Sequence, residues 1–115
     1  MGSNHIVHAE VVGKDVAKIQ QFFSDLFGWS LDTNNPGGYG MSDPTTTGVT
    51  FGAGGTPAPN GHVTFYVSVD DLDATIDRVQ SLGGTILMPR YSPAPGVALA
   101  LAADPEGHVL GLTQA

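Results

Sequence analysis

Alternation of apolar and polar residues marks two strands, each followed by a stretch with helical period. Across residues 6–12, Val7, Ala9 and Val11 fall on one face and Ile6, His8, Glu10 and Val12 on the other. Residues 62–68 repeat the pattern: Val63, Phe65 and Val67 are apolar, with Val69 following in phase, and His62, Thr64, Tyr66 and Ser68 are polar. A strand with one apolar and one polar face belongs in a sheet covered on one side. The period then changes. Asp15 opens a helix predicted over 15–27, with Val16, Ile19, Phe23, Leu26 and Phe27 on its apolar side and Gly28 as its stop. Asp70-Asp71 opens a second helix over 70–82, striped by Leu72, Ile76, Val79 and Leu82 and ended by Gly83-Gly84. Asp70 and Asp73 loosely resemble a capping box there.

The two halves share a layout. Asp15 precedes Gly28 by thirteen positions, and Asp70 precedes Gly83 by the same interval. Further strands are predicted at 29–33, 39–43 and 47–51 in the first half, and at 85–90, 97–103 and 108–113 in the second. Glycine and proline cluster between these runs, and the longest run of breakers, 52–61, reads as a linker between the halves. The pattern is strand–helix–strand–strand–strand, repeated, with helices on one sheet face and a concave, partly polar trough on the other.

Composition narrows the function. At 115 residues the chain is expected to be one domain. With 41% hydrophobic and 13% charged residues it is globular rather than disordered. There is no cysteine, which excludes a disulfide scaffold, a cysteine zinc site, an iron–sulfur cluster and thiol catalysis. Lys14, Lys18, Arg78 and Arg90 stand against eleven acidic residues, a net charge of −7, so no phosphate-tracking patch forms and nucleic acid is not an expected partner. No apolar run reaches the ~20 residues of a membrane helix, and the first residues lack a secretory pattern. The expectation is a cytoplasmic protein with no membrane partner. An acidic surface also attracts a cationic ligand.

Three segments carry a family resemblance. They are Ile6-Val7-His8-Ala9-Glu10 with Phe22-Phe23-Ser24-Asp25-Leu26-Phe27-Gly28-Trp29, then Val67-Ser68-Val69-Asp70-Asp71-Leu72-Asp73 with Leu82-Gly83-Gly84, then Ala103-Asp104-Pro105-Glu106-Gly107-His108. In this order they resemble the vicinal oxygen chelate superfamily, which includes glyoxalase I, bleomycin and fosfomycin resistance proteins, extradiol dioxygenases and methylmalonyl-CoA epimerase. The likeness is greatest to its short glyoxalase-like subgroup. It implies an α+β fold of two βαβββ modules, about 1–54 and 60–115, forming a cup-shaped mixed sheet within a single glyoxalase-like domain at 1–115.

In the metal enzymes of that superfamily, four strands each offer His, Glu or Gln to a divalent cation. Carried over by position, these ligands fall on His8, near Thr50 to Gly52, on Thr64 and on Gly111. Only His8 is a donor of the right kind, and one imidazole does not hold a divalent metal. No metal ligands and no cofactor are therefore expected. A shifted set of His8, Glu10 and His62 is the alternative, at the cost of moving a donor ~6.6 Å along its strand.

Each candidate residue has a functional and a plainer reading. His8 lines the pocket and moves protons, or satisfies a polar neighbour, or ligates a metal. Glu10, the one carboxylate that alternation puts inside the cup, is a base, or a rim residue paired with water or Lys14. Thr64 and Tyr66 offer hydroxyls to a substrate. His62 binds substrate or ends its strand at the surface, and His108 is expected to be exposed. Trp29, Tyr39 and Met41 form an apolar wall, with Trp29 equally suited to the core. Arg90 meets an anionic substrate group or an acidic neighbour.

Two functions stay open. One is a small-molecule enzyme, a lyase or isomerase moving a proton next to a carbonyl, with His8 and Glu10 as catalytic residues and Thr64, Tyr66, His62, Arg90 and Trp29 binding substrate. It would not be a typical metal-dependent glyoxalase I. The other is a non-catalytic drug- or metabolite-binding protein of the bleomycin-resistance type. In either case a homodimer is expected, because exposed strand edges and apolar surface favour pairing of two copies.

Overall fold

A computed structural model describes residues 4–56 and 60–115. Pro57-Ala58-Pro59, the centre of the expected linker, lie outside the described residues. The chain divides into two compact units: His8–Thr64, and Phe65–Ala115 together with the segment that ends at Val7.

In the His8–Thr64 unit, strand β1 (Ile6–Gly13) leads into helix α1 (Val16–Phe27). The Asp15 carboxylate accepts the Lys18 N–H at 3.1 Å and starts the helix. Gly28, at φ 73°, ends it in the left-handed conformation that a side chain would disfavour, and its N–H returns to the Ser24 carbonyl. A short 3-10 turn at Pro36–Gly38 precedes β2 (Gly40–Met41), helix α2 (Pro44–Thr47) and β3 (Thr50–Gly55). The strands lie in the order β2-β3-β1, with β3 parallel to β1 and antiparallel to β2.

This half departs from expectation in three places. The strand predicted at 29–33 is reduced to a single bridge between Asp32 and Met41. The start of the strand predicted at 47–51 is helical, because Asp43 caps Thr45 N–H at 2.9 Å and Pro44 takes the first helical position, which overrides the strand preference of the threonines. Gly52 to Gly55, read as the start of a linker, are the second half of β3.

The remaining unit contains β4 (His62–Val69) from Phe65 onward, then α3 (Leu72–Ser81), β5 (Thr85–Tyr91), β6 (Leu99–Ala103) and β7 (Val109–Gln114). Its strands run β4-β7-β6-β5, with β4 and β7 parallel and the other pairs antiparallel. The parallel pair places Tyr66 opposite Gly111, and the Tyr66 ring fills the space where a Gly111 side chain would stand. The Asp71 carboxylate caps α3 by accepting Ala74 N–H at 3.0 Å. Its stripe meets the sheet in a core of Val69, Leu72, Ala100 and Leu112, flanked by Val67, Ile76, Val79, Ala98 and Leu110. Leu82, placed on that stripe by periodicity, is exposed beyond the helix end. At the start of the unit, the His5 carbonyl accepts the Ser68 N–H at 2.9 Å.

Both halves thus keep a strand–helix–strands order with the first strand parallel to the last. The fold is mixed α+β, as expected. Among the described residues no helix is long and apolar enough to cross a membrane. Leu72 is fully buried and Leu82 is 63% exposed. Leu72→Ala should therefore lower the unfolding free energy by about 2–5 kcal/mol, and Leu82→Ala by well under ~1 kcal/mol, as measured by urea titration.

Candidate functional site

The parallel register of β1 and β3 decides which side chains meet. His8 pairs with Thr50, Glu10 with Gly52 and Val12 with Gly54 on one face, while Ala9 pairs with Phe51 and Val11 with Ala53 on the other. The second face meets α1: the Phe51 ring lies 5.1 Å from Phe23 and 4.9 Å from Trp29. The first face is polar, and its two glycines leave a slot along β3.

Tyr39 lies in that slot. A side chain at Gly52 would collide with the Tyr39 hydroxyl, and one at Gly54 would stand 2.5 Å from its ring. The phenol therefore reaches across β3 to β1 only because both positions lack a Cβ. Its backbone is held in place as well. Asn35 Nδ2 donates to the Tyr39 carbonyl at 2.9 Å, and Gln20 Nε2 donates to Gly38 O and Ala53 O, each at 2.9 Å.

A polar network follows. The Tyr39 hydroxyl donates to Glu10 Oε1 at 2.9 Å and lies 2.7 Å from His8 Nε2. His8 Nδ1 lies 2.5 Å from Thr50 Oγ1. His62 Nε2 approaches Glu10 Oε2 to 3.7 Å, beyond hydrogen-bond distance, and is a buried nitrogen with no hydrogen-bond partner among the described residues. Burial holds the His8 imidazole below its ordinary value of 6.5, with the Glu10 carboxylate pulling more weakly the other way.

Of the residues singled out in the sequence, His8, Glu10 and His62 come together here. Thr64 is buried within the same unit. Tyr66 is buried in the other unit, where its ring covers Gly111. Two expected substrate contacts have other occupations. Trp29 stacks with Phe23 and meets Phe27 and Phe51 at a tilt, so its bulk packs against α1. Arg90 lies at the surface, 3.2 Å from the Asp73 carboxylate of α3. Met41, expected in an apolar wall, is 38% exposed. From the residues alone Tyr39 reads as apolar wall, and Thr50 as a strand position near which a metal ligand would fall and which offers no such donor. The signal for Tyr39 was the spacing Gly52-Ala53-Gly54, which marks a close approach inside a strand.

A glyoxalase-like domain family matches residues 8–113. The chain belongs to that family. A glyoxalase/bleomycin resistance protein/dioxygenase superfamily member from Vibrio splendidus 12B01 has the same fold, with a TM-score of 0.67 at 20% identity over 96% of this chain and 98% of that one. Methylmalonyl-CoA epimerase from Mycobacterium tuberculosis gives 0.66 at 14% identity over 95% and 86%. The protein CFP32 of Mycobacterium bovis, whose name proposes a glyoxylase, is 33% identical over 109 residues. That match covers 88% of this chain and 42% of CFP32, so the chain spans less than half the length of this relative.

The divalent metal implied by some members of this superfamily does not fit the glyoxalase-like chain described here. Thr64 and Gly111 supply no imidazole or carboxylate, and the Tyr39 hydroxyl fills the space at Gly52. Among the described residues no three His, Cys, Asp or Glu side chains are grouped to hold a metal ion. His8 and Glu10 are hydrogen-bonded to hydroxyls instead, and His62 Nε2 stands 3.7 Å from Glu10 Oε2.

Two outcomes test the geometry. Gly52→Ala should displace the Tyr39 ring and cost about 1–3 kcal/mol in urea unfolding. The second concerns pH. The unfolded chain protonates His8 near 6.5, whereas the folded protein resists doing so until lower pH. Stability from the neutral imidazole is therefore complete above pH 6.5 and is lost as pH falls through the lowered folded value. Between pH 7.5 and 5, the unfolding free energy of the wild type should fall more steeply than that of His8→Asn.

Proposed function

We propose that this glyoxalase-like protein is a single functional domain of two βαβββ modules that moves a proton at a carbon next to a carbonyl, as a lyase or isomerase of a small molecule. The observation that carries the reading is the Glu10 carboxylate. It is 11% exposed, held at Oε1 by the Tyr39 hydroxyl, and turned at Oε2 toward an unpartnered His62 Nε2. A nearly buried carboxylate fixed on one oxygen is a suitable general base on the other. The His62 nitrogen supplies a polar contact for a substrate oxygen or hydroxyl. His8, kept neutral by burial, stabilises the network without adding charge. Thr64 remains a proposed hydroxyl donor to the ligand.

The test is deuterium incorporation from D₂O into α-hydroxy ketones, 2-oxo acids and 2-substituted acyl thioesters, followed by NMR. The protein should accelerate exchange for at least one class, and Glu10→Gln should slow it by about 10²–10⁴-fold. Unchanged exchange in Glu10→Gln would remove the carboxylate from its role. Tight binding of a cationic compound without any exchange would instead favour the drug- or metabolite-binding alternative, which the net charge of −7 supports.

The proposed assembly is a homodimer. The α1 side chains Phe22, Leu26 and Phe27 are 58%, 57% and 54% exposed, and a second copy would cover such a surface. Sedimentation at micromolar concentration should give a dimer, with an interface of ~1,200 Å² or more in total. A monomer would refute the assembly and leave the proton-transfer reading intact.

A further inference from the structure

The hydrogen bonds around Tyr39 have one consistent direction. A phenol carries one proton, and an ionised carboxylate only accepts, so the Tyr39 O–H belongs to Glu10 Oε1. The Tyr39 oxygen, 2.7 Å from His8 Nε2, must then accept, which puts the imidazole proton on Nε2. Nδ1 is left as the acceptor, and Thr50 Oγ1 donates to it across 2.5 Å. The chain runs Thr50 O–H to His8 Nδ1, His8 Nε2–H to the Tyr39 oxygen, and Tyr39 O–H to Glu10. A neutral imidazole is required, and burial provides it.

The position of the phenol is equally determined. Its ring lies over Gly52 and Gly54, and the backbone on either side is held by Asn35 and Gln20. A hydroxyl fixed by packing, with a donor behind it and a carboxylate beside it, is a preorganised hydrogen-bond donor for charge that develops near that carboxylate.

We infer that Tyr39 is a catalytic hydrogen-bond donor of the site, turning its O–H to the substrate's carbonyl oxygen and stabilising the negative charge that develops there while Glu10 takes the proton from the adjacent carbon. The inference rests on the proton-transfer reading above. The C–H bond breaks, its proton forms an O–H bond on Glu10, and the electron pair passes through the new C=C bond onto the carbonyl oxygen. Tyr39 O–H turns from the carboxylate, now neutral, to that oxygen, and His8 Nε2–H stays on the phenol oxygen. Return of the proton from Glu10 to carbon restores the enzyme, with no oxidant, reductant or further reactant. A carbonyl compound with an acidic neighbouring C–H, such as a 2-substituted acyl thioester or an α-hydroxy ketone, is the substrate class that fits.

Tyr39→Phe separates this role from packing, because the ring that fills the glycine slot is kept. In the D₂O exchange assay the variant should lose about 10²–10³-fold in kcat with KM changed by less than about threefold. Its thermal unfolding midpoint should fall by about 4–8 °C, because the ring still fills the slot and only one buried hydroxyl is lost. The second readout is ¹⁵N NMR of the His8 ring. The wild type should carry its proton on Nε2, and Tyr39→Phe should shift the population toward Nδ1–H, with Thr50 then accepting. Exchange retained in Tyr39→Phe but lost in Glu10→Gln would overturn the Tyr39 role and leave the base assignment standing. A wild-type His8 protonated on Nδ1 would also overturn it. Exchange retained in Glu10→Gln but lost in Tyr39→Phe would overturn the base assignment alone. Absence of exchange in the wild type for all three compound classes would overturn both.

Discussion

The candidate site depends on two missing Cβ atoms. In the parallel pairing of β1 with β3, Gly52 and Gly54 stand opposite Glu10 and Val12, and nothing from β3 rises between those side chains and the far side of the sheet. An alanine at either position would collide with the Tyr39 ring. With the glycines present, a residue thirteen to fifteen positions earlier in the chain lays its hydroxyl against the carboxylate and imidazole of the first strand. A one-residue slip of β1 against β3 would turn His8 and Glu10 toward α1, into the space of the Phe23, Trp29 and Phe51 rings. The aromatic packing on one face and the polar network on the other therefore select the same register.

How much of this could be read from residues alone follows from how local each feature is. Asp15, Gly28 and Asp71 act within a few positions of themselves, and the helices they bound were legible. The strands of the second half have alternation and turn residues on both sides, and they too fell close to expectation. The first half was harder. Asp43-Pro44 makes a helical turn from a threonine run whose composition favours strand, and the 29–33 segment keeps only one bridge. The run 52–55 reads as linker from its residues alone, for a deeper reason. Glycine in a strand weakens it locally, and only the ring of a distant tyrosine restores the packing. Alternation sufficed to put His8, Glu10 and His62 on one face. It could not place Tyr39, whose side chain is aimed by the Pro36–Gly38 turn and by a slot made elsewhere.

The network is built from neutral hydroxyls and a neutral imidazole around a single carboxylate. Such an arrangement is costly if any member lacks a partner, since each buried polar group gives up its hydration. Thr50, His8 and Tyr39 satisfy one another in series, which leaves the strain of incomplete pairing at His62. A metal enzyme obtains its electrophile from a dication held by several donors. This site has the chemistry to present oriented O–H and N–H groups instead, weaker individually and dependent on fixed geometry.

The His5–Ser68 hydrogen bond has a consequence for how the chain acquires its structure. The segment ending at Val7 belongs with Phe65–Ala115, so the unit it joins is not contiguous in sequence. During synthesis the His8–Thr64 segment is complete before Ser68 has been made. The His5 carbonyl therefore gains this partner only after roughly sixty further residues have been made. Contacts of that separation close slowly because the intervening chain must first be ordered. The contiguous His8–Thr64 unit, including the Tyr39 slot, needs no residue beyond Thr64, whereas the unit that holds the His5–Ser68 bond needs chain from both sides of it.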